Sequence, residues 1–353
     1  MIDLDDPKVY RELDPADMRE RIRELPRQCL KAWQQALEFE LPPGHANINK
    51  VVILGMGGSA IGGDLLGSLV AAECNSLISV IRDYNLPAYV DGNTFIIASS
   101  YSGMTEETLS SFTRALSTPA GKMVMTTGGK LKALAEENAI PVFTIDYVAQ
   151  PRAALAYSFI PLLGICQRLG LLSSKTGEVK EMAQVLENLQ NTVNDTCPTT
   201  QNPAKQLAAR LYDHLAIIYG AGILSPVAQR WKTQINENSK AWAFYEVFPE
   251  LNHNAVVGYE FPAELAQTAF VVLLRSQHLH PRTLIRYDVI ADVLSRSGVN
   301  HETLDGSGES ALSQMMSLIL FGDWVSYYLA LLYETDPSPV KVIDYLKKRL
   351  SEA

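Results

Sequence analysis

The sequence predicts an α/β fold with two doubly wound parallel sheets, preceded by a helical N-terminal segment and followed by a C-terminal helix. Three observations support this prediction. Short apolar runs alternate with helical patterns over residues 51–172, which is typical of a parallel sheet with helices on both faces. A second apolar run, at residues 216–219, again ends in a turn with glycines. With 353 residues the chain is long enough for two domains with cores of their own.

The elements divide the chain into four segments. A helix start signal at Asp14 and an amphipathic pattern at residues 27–37 precede the breaker Pro42-Pro43-Gly44. Residues 173–203 are polar and suit an interdomain helix and linker. We expect a helical N-terminal segment at 1–45, a first sheet domain at 46–185, a linker at 186–210, and a second sheet domain with the C-terminal helix at 211–353.

Composition and charge exclude several classes of partner. The net charge of −9 argues against nucleic acid or an anionic membrane, because both require a basic face. The four cysteines are scattered without a C-x-x-C pair, which predicts neither disulfides nor zinc and indicates a reducing, cytoplasmic setting. No apolar run is expected to reach membrane-spanning length. For His278 and His280 a surface loop is favoured over a metal site, since zinc needs three or four ligands.

A glycine-rich turn follows the first predicted strand, at residues 51–54, and leads directly into a helix. Glycines let the backbone approach an anion closely, and the N–H groups of the next helix point at it, so the turn is interpreted as a phosphate site. A Walker A loop is excluded because the turn has no lysine. A dinucleotide site stays open, because Gly55, Gly57 and Ala60 fit its pattern and Asp83 lies where a ribose-binding acid belongs.

The next predicted strand, residues 94–98, opens into a loop rich in serine, threonine and glycine ahead of another helix. Hydroxyls and backbone N–H groups that converge there suit a phosphate monoester and contribute little to binding a nicotinamide. The alternative is a helix cap, in which Ser102 or Thr105 satisfies the first turn and nothing binds.

Together the two turns resemble the sugar isomerase (SIS) domain, in which a glycine-rich turn precedes a strand that ends in Ser-x-Ser-Gly-x-Thr. Residues 100–105 match that motif in full, and further predicted strands at 122–127 and 141–146 continue the same sheet. The resemblance implies a sugar phosphate as ligand. It assigns the phosphate to Gly58, Ser59, Ser100, Ser102 and Thr105.

The second domain repeats the theme in a degenerate form. Residues 216–224 predict a strand, a glycine turn and a helix entry, and residues 270–274 predict the matching later strand. This half has fewer glycines and no cluster of hydroxyls. We therefore expect only the first sheet to bind phosphate.

The densest polar and aromatic cluster lies between those two strands, at residues 234–254. Polar groups among aromatics are costly in a core unless paired, so the stretch indicates a site or a polar interface. The alternative is an amphipathic helix with a solvated acidic face. Isomerisation of a sugar phosphate needs a base for the proton of C1 and C2, and an acid–base group to open the ring. Glu237 and His253 supply these types, but spacing alone does not separate Glu237 from Glu246 or Glu250.

The pair Glu237-Asn238, the run at residues 248–254 and Gly258 resemble the bifunctional phosphoglucose/phosphomannose isomerase family. The resemblance implies that Glu237 is the base that forms the enediol and that His253 opens the ring. It further implies a homodimer whose active site takes the histidine from the neighbouring subunit, and it implies no metal, nucleotide or other cofactor.

Two cations are assigned through the same resemblance. An arginine at the place of Arg152 faces the reacting carbons in the family, whereas a surface arginine is the alternative. The family also places a lysine that reaches the substrate in the C-terminal helix, predicted here over residues 339–350. Lys347 is chosen and Lys341 is possible. For either lysine the alternative is a solvated side chain that favours the helix dipole.

The function predicted from the sequence is an aldose–ketose isomerase that interconverts glucose 6-phosphate, and mannose 6-phosphate, with fructose 6-phosphate through a cis-enediol. The two aldoses differ only at C2, and the enediol removes that difference. One alternative is a regulator that binds sugar phosphate without catalysis, although the chain shows no basic helix-turn-helix. The other alternative is a dinucleotide-dependent oxidoreductase.

Overall fold

A computed structural model describes residues 2–42 and 47–352 of the chain. The predicted end of the N-terminal segment, at residue 45, and Pro43-Gly44 of the predicted breaker lie outside the described residues. The α-helices are α1 Pro7–Leu13, α2 Met18–Arg23, α3 Leu25–Glu38, α4 Gly57–Val70, α5 Glu106–Ala115, α6 Gly129–Glu137, α7 Leu155–Arg168, α8 Thr176–Val193, α9 Pro203–Leu211, α10 Ser225–Gln234, α11 Ala263–Thr268, α12 Pro281–Arg296, α13 Ala311–Leu332 and α14 Lys341–Ser351. The strands are β1 Lys50–Leu54, β2 Leu77–Ile81, β3 Thr94–Ser99, β4 Gly121–Thr126, β5 Val142–Thr144, β6 Leu215–Ala221, β7 Ala243–Phe248, β8 Ala269–Arg275 and β9 Asn300–Asp305.

The chain divides into two compact units, each with its own sheet. The five-stranded unit comprises Glu24–Val185 and Gly308–Ser313. The four-stranded unit comprises the residues up to Arg23, Leu186–Ser307 and the residues from Gln314 onward. In this division the N-terminal helices belong to both units, and residues 186–210 hold the end of α8 and most of α9.

The sheet of the five-stranded unit is entirely parallel, in the order β2-β1-β3-β4-β5. Every residue of β3 is buried, and Val52 of β1 lies opposite Ile96 of β3. Strands β1 and β3 are neighbours, while β1 also pairs with β2 on its other side. The chain therefore changes direction across the sheet between β1 and β3, and their carboxyl ends form the crevice where parallel sheets bind ligands.

Two glycines of this unit are required by close packing. A Cβ on Gly62 of α4 would lie 2.1 Å from the carbonyl oxygen of Ser158 in α7, so only glycine allows these two helices to approach. Gly103 has φ +64°, and a Cβ there would lie 1.8 Å from the carbonyl oxygen of Gly128. The glycine of the motif is therefore dictated by backbone geometry.

The sheet of the four-stranded unit is also parallel, in the order β7-β6-β8-β9. Its core includes Tyr219, Phe248 and Tyr287, and the rings of the last two stack with centroids 4.3 Å apart. Strand β7 lies within the polar and aromatic cluster. The amphipathic helix considered for that cluster is wrong: a short π-helix Ile235–Ser239, strand β7 and a 3₁₀ helix Glu250–His253 replace it. The predicted fold of doubly wound parallel sheets is confirmed.

Helix α13 corrects the expectation about membrane-spanning length. Over its 22 residues it is long and apolar enough to cross a membrane, with a mean hydropathy of 1.5 in its most apolar window. However, 94% of that window is buried within the protein. It also contains Asp323, which forms a buried ion pair with Arg230. These features are those of a core helix in a folded domain.

Candidate active site

The glycine turn, residues 55–58, connects β1 to α4 at the carboxyl edge of the five-stranded sheet. Helix α4 begins at Gly57, which has φ +49° and open space where a Cβ would lie. Met56 occupies the N-cap position, and within the described residues no side chain caps this helix. The first amides of α4 are thus available to an anion at the positive end of the helix dipole.

The serine loop, residues 99–105, lies beside the glycine turn because β3 neighbours β1. The hydroxyls of Ser100 and Thr105 are 2.9 Å apart. Thr105 occupies the N-cap position of α5, yet its side chain makes no capping bond among the described residues. Ser102 is exposed, and its hydroxyl accepts a hydrogen bond of 3.2 Å from the backbone N–H of Met104, which precedes the helix. The helix-cap alternative is therefore wrong for both residues.

Tyr101, the variable residue of Ser-x-Ser, connects three segments of the site. Its backbone N–H donates to the hydroxyl of Ser59 at 3.1 Å, which joins the serine loop to the first turn of α4. Its phenol donates to the carbonyl of Tyr147 and accepts from the backbone N–H of Ala149 at 2.8 Å. Sequence reasoning missed this role, because a variable motif position gives no signal of its contacts.

Arg152 lies in the 3₁₀ helix Pro151–Ala153 and is only 4% exposed. A Cβ on Gly58 would lie 3.1 Å from the carbonyl oxygen of Pro151, so this segment packs directly on the glycine turn. The alternative of a surface arginine is therefore wrong. A buried arginine in a segment that packs on uncapped helix amides adds positive charge near the glycine turn, which favours a phosphate monoester.

Asp83, the acid of the dinucleotide alternative, follows β2 and forms a local turn. Its carboxylate accepts a hydrogen bond of 2.9 Å from the backbone N–H of Asn85 and another from that residue's amide. This arrangement is an ordinary Asx turn, and it accounts for the aspartate without a ribose.

In the four-stranded unit, Glu237 lies in the π-helix that continues α10. It is half-buried and lines a cleft of 620 Å³, named here the Glu237 cleft. The described residues that line this cleft are Asn236, Glu237, Lys240, Glu334, Thr335, Asp336, Pro339, Val340, Lys341, Val342 and Ile343. Among the described residues, Glu237 lines this cleft, which is of ligand size, whereas Glu246 and Glu250 do not line it.

The two candidate lysines relate differently to this cleft. Lys341 lines it directly. Lys347 is absent from the described lining residues but follows Ile343 by four positions, so it lies on the same face of α14 one turn further on. Both lysines therefore remain candidates.

His253 ends the 3₁₀ helix Glu250–His253 and is exposed. Strand β7 separates it from Glu237 along the chain. Residues 240–242, just before β7, line a cleft with residues 213–215 at the start of β6, whereas Leu251, just after β7, packs in the core with Phe248 and Leu279. Glu237 and His253 of one chain thus lie at opposite edges of the sheet. The six residues of β7 alone span roughly 17 Å.

A buried polar network joins α10, the helix that the π-helix continues, to α13. Arg230 Nη2 lies 2.7 and 3.0 Å from the two carboxylate oxygens of Asp323, and Gln234 Nε2 donates to the same carboxylate at 2.9 Å. Burial raises the pKa of the Asp323 carboxyl, and Arg230 and Gln234 oppose that rise. Breaking such a buried pair on one side is costly, so this network fixes α10 on α13.

The histidine pair has a local role. His278 and His280 are both exposed, and His280 Nδ1 accepts from the backbone N–H of Arg282, which caps α12. Among the described residues no group of three or more His, Cys, Asp or Glu is arranged to hold a metal ion.

Comparisons with known proteins identify relatives over nearly the whole chain. Residues 200–350 match the bacterial phospho-glucose isomerase C-terminal SIS domain. A bifunctional phosphoglucose/phosphomannose isomerase of Caldicellulosiruptor bescii is 46% identical over 338 residues, covering 95% of this chain and 99% of that protein. The protein of the same name from Aquifex aeolicus is 34% identical over 303 residues, covering 86% and 90%. A solved structure of a hypothetical protein from Thermus thermophilus has a TM-score of 0.73 at 15% identity, covering 98% and 92%, and shows a similar fold.

These similarities test the predicted family, the predicted fold class and the predicted type of enzyme. The resemblance drawn from the serine loop and from residues 248–254 is confirmed, as are the SIS-type fold class and the assignment to the isomerases. The predicted aldose–ketose isomerase is likewise confirmed at the level of the family. By its identity to these relatives over most of their length, the chain belongs to the bifunctional phosphoglucose/phosphomannose isomerase family.

Proposed function

We propose that this protein interconverts glucose 6-phosphate and mannose 6-phosphate with fructose 6-phosphate through a cis-enediol. The observation on which the proposal rests is the carboxyl edge of the five-stranded sheet. There, the hydroxyls of the serine loop lie beside the uncapped amides of α4, and the segment that contains the buried Arg152 packs on the glycine turn. This donor set matches a phosphate monoester in charge and in hydrogen-bonding demand.

The phosphate is bound by the residues assigned from the motif, through a backbone amide of the glycine turn and the hydroxyls of α4 and of the serine loop. The backbone amide of Gly58 opens α4, and Ser102 is exposed. The hydroxyls of Ser100 and Thr105 bond each other, and the hydroxyl of Ser59 accepts from the backbone N–H of Tyr101, so these three hydroxyls are oriented before the phosphate arrives. Such preorganisation lowers the entropic cost of binding.

Glu237 is the base. It removes the proton from C2 of the open-chain aldose while O1 gains a proton, which gives the enediol. It then returns a proton to C1 while the hydroxyl on C2 loses its proton, which gives the ketose. Arg152 stabilises the negative charge that develops on the enediolate oxygens. His253 opens the ring by exchanging a proton with the ring oxygen, a task for which imidazole is suited near neutral pH.

We propose that the active protein is a homodimer in which each active site takes His253 from the partner subunit. The positions of the two residues on either side of β7 support this proposal, since one edge of the sheet holds Glu237 and the opposite edge holds an exposed His253. A site that uses both residues therefore needs His253 from a second copy.

The lysine of the C-terminal helix is assigned to substrate binding, with Lys347 as first choice. The position of Lys341 in the lining of the Glu237 cleft supports the other assignment equally well. No metal, nucleotide or other cofactor takes part in the proposed chemistry. A cytoplasmic location is proposed as well. It is supported by the four cysteines, all within the described part of the chain and none of them in a disulfide.

The decisive experiment is a pair of progress assays with glucose 6-phosphate and mannose 6-phosphate in the presence of EDTA, each followed by the appearance of fructose 6-phosphate. Both substrates are expected to turn over. Calorimetric binding of fructose 6-phosphate without turnover would indicate a regulator, and binding of NAD would indicate an oxidoreductase. Loss of activity in EDTA that zinc or magnesium restores would contradict the cofactor-free mechanism.

The shared site is tested by subunit mixing. Glu237→Gln and His253→Asn are each expected to be nearly inactive as homodimers. After unfolding and refolding together, half of the dimers are mixed and each has one intact site, so about a quarter of the wild-type activity should return. Failure to recover activity, with mixed dimers demonstrated by tag affinity, would contradict the shared site.

A further inference from the structure

Lys240 follows the π-helix that contains Glu237, and its backbone is unusual. Its φ and ψ of 56° and 19° are left-handed, a conformation that is unfavourable for a non-glycine residue. Strained backbone of this kind persists only where the surroundings hold it, and it clusters at functional sites.

The Lys240 ammonium bonds three backbone carbonyls. Its Nζ atom lies 2.6 Å from the oxygen of Glu237, 3.3 Å from that of Asn238 and 3.0 Å from that of Pro337. The first two carbonyls are at the C-terminal end of the helical segment, where backbone oxygens lack intrahelical partners and a cation is favoured. The third belongs to the segment that precedes α14.

These bonds connect the two walls of the Glu237 cleft. One wall is formed by Asn236, Glu237 and Lys240, and the other by residues 334–336 and 339–343. Pro337 lies within the second wall segment, so a single ammonium bonds both walls. On the first wall it bonds the carbonyl of Glu237, the proposed base. A single cation thus links the two walls of the cleft.

The other side of the π-helix is fixed independently. Asn238 Nδ2 donates to the hydroxyl of Ser326 in α13 at 3.0 Å, and the hydroxyl of Ser239 donates to the carbonyl of Ser326 at 2.7 Å. These bonds position the two residues after Glu237, and the Lys240 ammonium bonds the carbonyl of Glu237 itself. The backbone of the base is thus restrained on two sides.

We infer that Lys240 is a positioning residue for Glu237: its ammonium holds the base and the opposite wall of the cleft at the separation that proton transfer requires. This inference rests on the proposed role of Glu237. Lys240 acts through Glu237 and through the cleft geometry. A small misplacement of a base relative to its substrate reduces the rate strongly, since proton transfer needs hydrogen-bond distance.

Lys240→Met keeps the aliphatic stem and removes the ammonium. Its kcat is expected to fall about tenfold to a hundredfold, whereas KM for fructose 6-phosphate and the Kd for inorganic phosphate change less than about twofold. Lys240→Arg, which keeps a cation and its donors, should recover most of the lost kcat. Lys240→Gly removes the ammonium but suits the left-handed backbone, so it should lower kcat without lowering the melting temperature. Lys232→Met, on α10, is the matched control.

A double-mutant cycle separates this inference from the proposed function. If Lys240 acts through Glu237, Lys240→Met has no further effect in the Glu237→Gln background. An equal loss of kcat in both backgrounds, or no loss in the wild type, overturns the inference and leaves the role of Glu237 intact. Near-normal turnover by Glu237→Gln alone overturns the base assignment, and the inference with it. A loss of kcat in Lys240→Met that merely follows its melting temperature, with Lys240→Gly fully active, also overturns the inference.

Discussion

The carboxyl edges of the two sheets share a backbone plan but differ in what their polar groups bond. Gly57 after β1 and Gly222 after β6 both have φ +49°. Open space surrounds the position of a Cβ on Gly57, whereas a Cβ on Gly222 would lie 3.2 Å from the side chain of Leu279. In the four-stranded unit an apolar side chain thus fills the space that is open in the five-stranded unit.

The serines that follow the matching strands show the same contrast. Ser100 follows β3, and its hydroxyl pairs with that of Thr105, a residue of the same loop. Ser276 follows β8, and its hydroxyl donates to Gln314 Oε1 at 2.6 Å and accepts from the N–H of His278 at 3.1 Å. Gln314, which is 3% exposed, also accepts from the backbone N–H of Gln277. Hydroxyls and backbone N–H groups are proposed to bind phosphate at the five-stranded sheet. At the four-stranded sheet the same types of group bond the buried side chain of Gln314.

In this repeated fold the two carboxyl edges thus differ in their partners: the amides that begin α4 have no side-chain cap among the described residues, whereas the serine and the backbone amide after β8 bond the buried Gln314. Buried polar groups must be paired, and the partner is either a ligand or another part of the chain. At the carboxyl edge of the four-stranded unit, the polar groups bond other groups of the same chain. The residues of this unit that are proposed to transfer protons are Glu237 and His253. Binding and proton transfer are therefore expected to respond to different substitutions.

The largest effect is expected for Glu237→Gln, which tests whether the four-stranded unit provides the proton transfer. Loss of a general base lowers kcat by about 10²- to 10⁴-fold, while fructose 6-phosphate still binds, because its phosphate contacts are unchanged. Steady-state kinetics together with calorimetry measure both quantities. Glu246→Gln is the matched control, and a comparable loss in that variant would reassign the base.

Ser102→Ala tests the donor set of the five-stranded unit. Removing one hydrogen bond to a dianion should raise KM about 10- to 100-fold and lower kcat much less. Ser276→Ala is the matched substitution at the other sheet. It should leave KM unchanged and lower the free energy of unfolding by about 1–3 kcal/mol, since Gln314 loses a buried partner. An effect on kcat alone in Ser102→Ala would count against phosphate binding by that residue.

Gly57→Ala and Gly222→Ala sharpen the contrast between the two turns. Both substitutions place a Cβ on left-handed backbone and should cost about 1–2 kcal/mol of unfolding free energy. Only Gly57→Ala should also raise KM, by a few-fold, because its methyl group enters the space assigned to the ligand. Equal KM values in the two variants would remove the distinction between the edges.

The smallest effect is expected for the lysines of α14. If Lys347 reaches the substrate, Lys347→Met should lower kcat/KM about tenfold, and Lys341→Met should have little effect. The reverse result would assign the role to Lys341, which lines the Glu237 cleft. Both variants retain the helix, so circular dichroism should show no change in helix content.

Local patterns in the sequence were sufficient for the fold class and for the types of residue at the site. Periodicity predicted the strands and helices around the glycine turn and the serine loop, because buried strands need continuous apolar runs and phosphate turns need glycine and hydroxyls. Strands β2, β7 and β9 were missed. All three are edge strands whose residues are mostly half-exposed or exposed, so their apolar signal is weak.

The tertiary structure alone decided which of these groups meet. It buried Arg152 against the glycine turn, bonded Ser276 to Gln314, and separated Glu237 from His253 by the length of β7. It also directed the ammonium of Lys240 onto the backbone of Glu237. Each of these outcomes depends on pairing between segments that are distant in the chain, or on the direction in which the backbone runs. Hydrophobic periodicity reports only which residues are buried, so it contains no information about their partners.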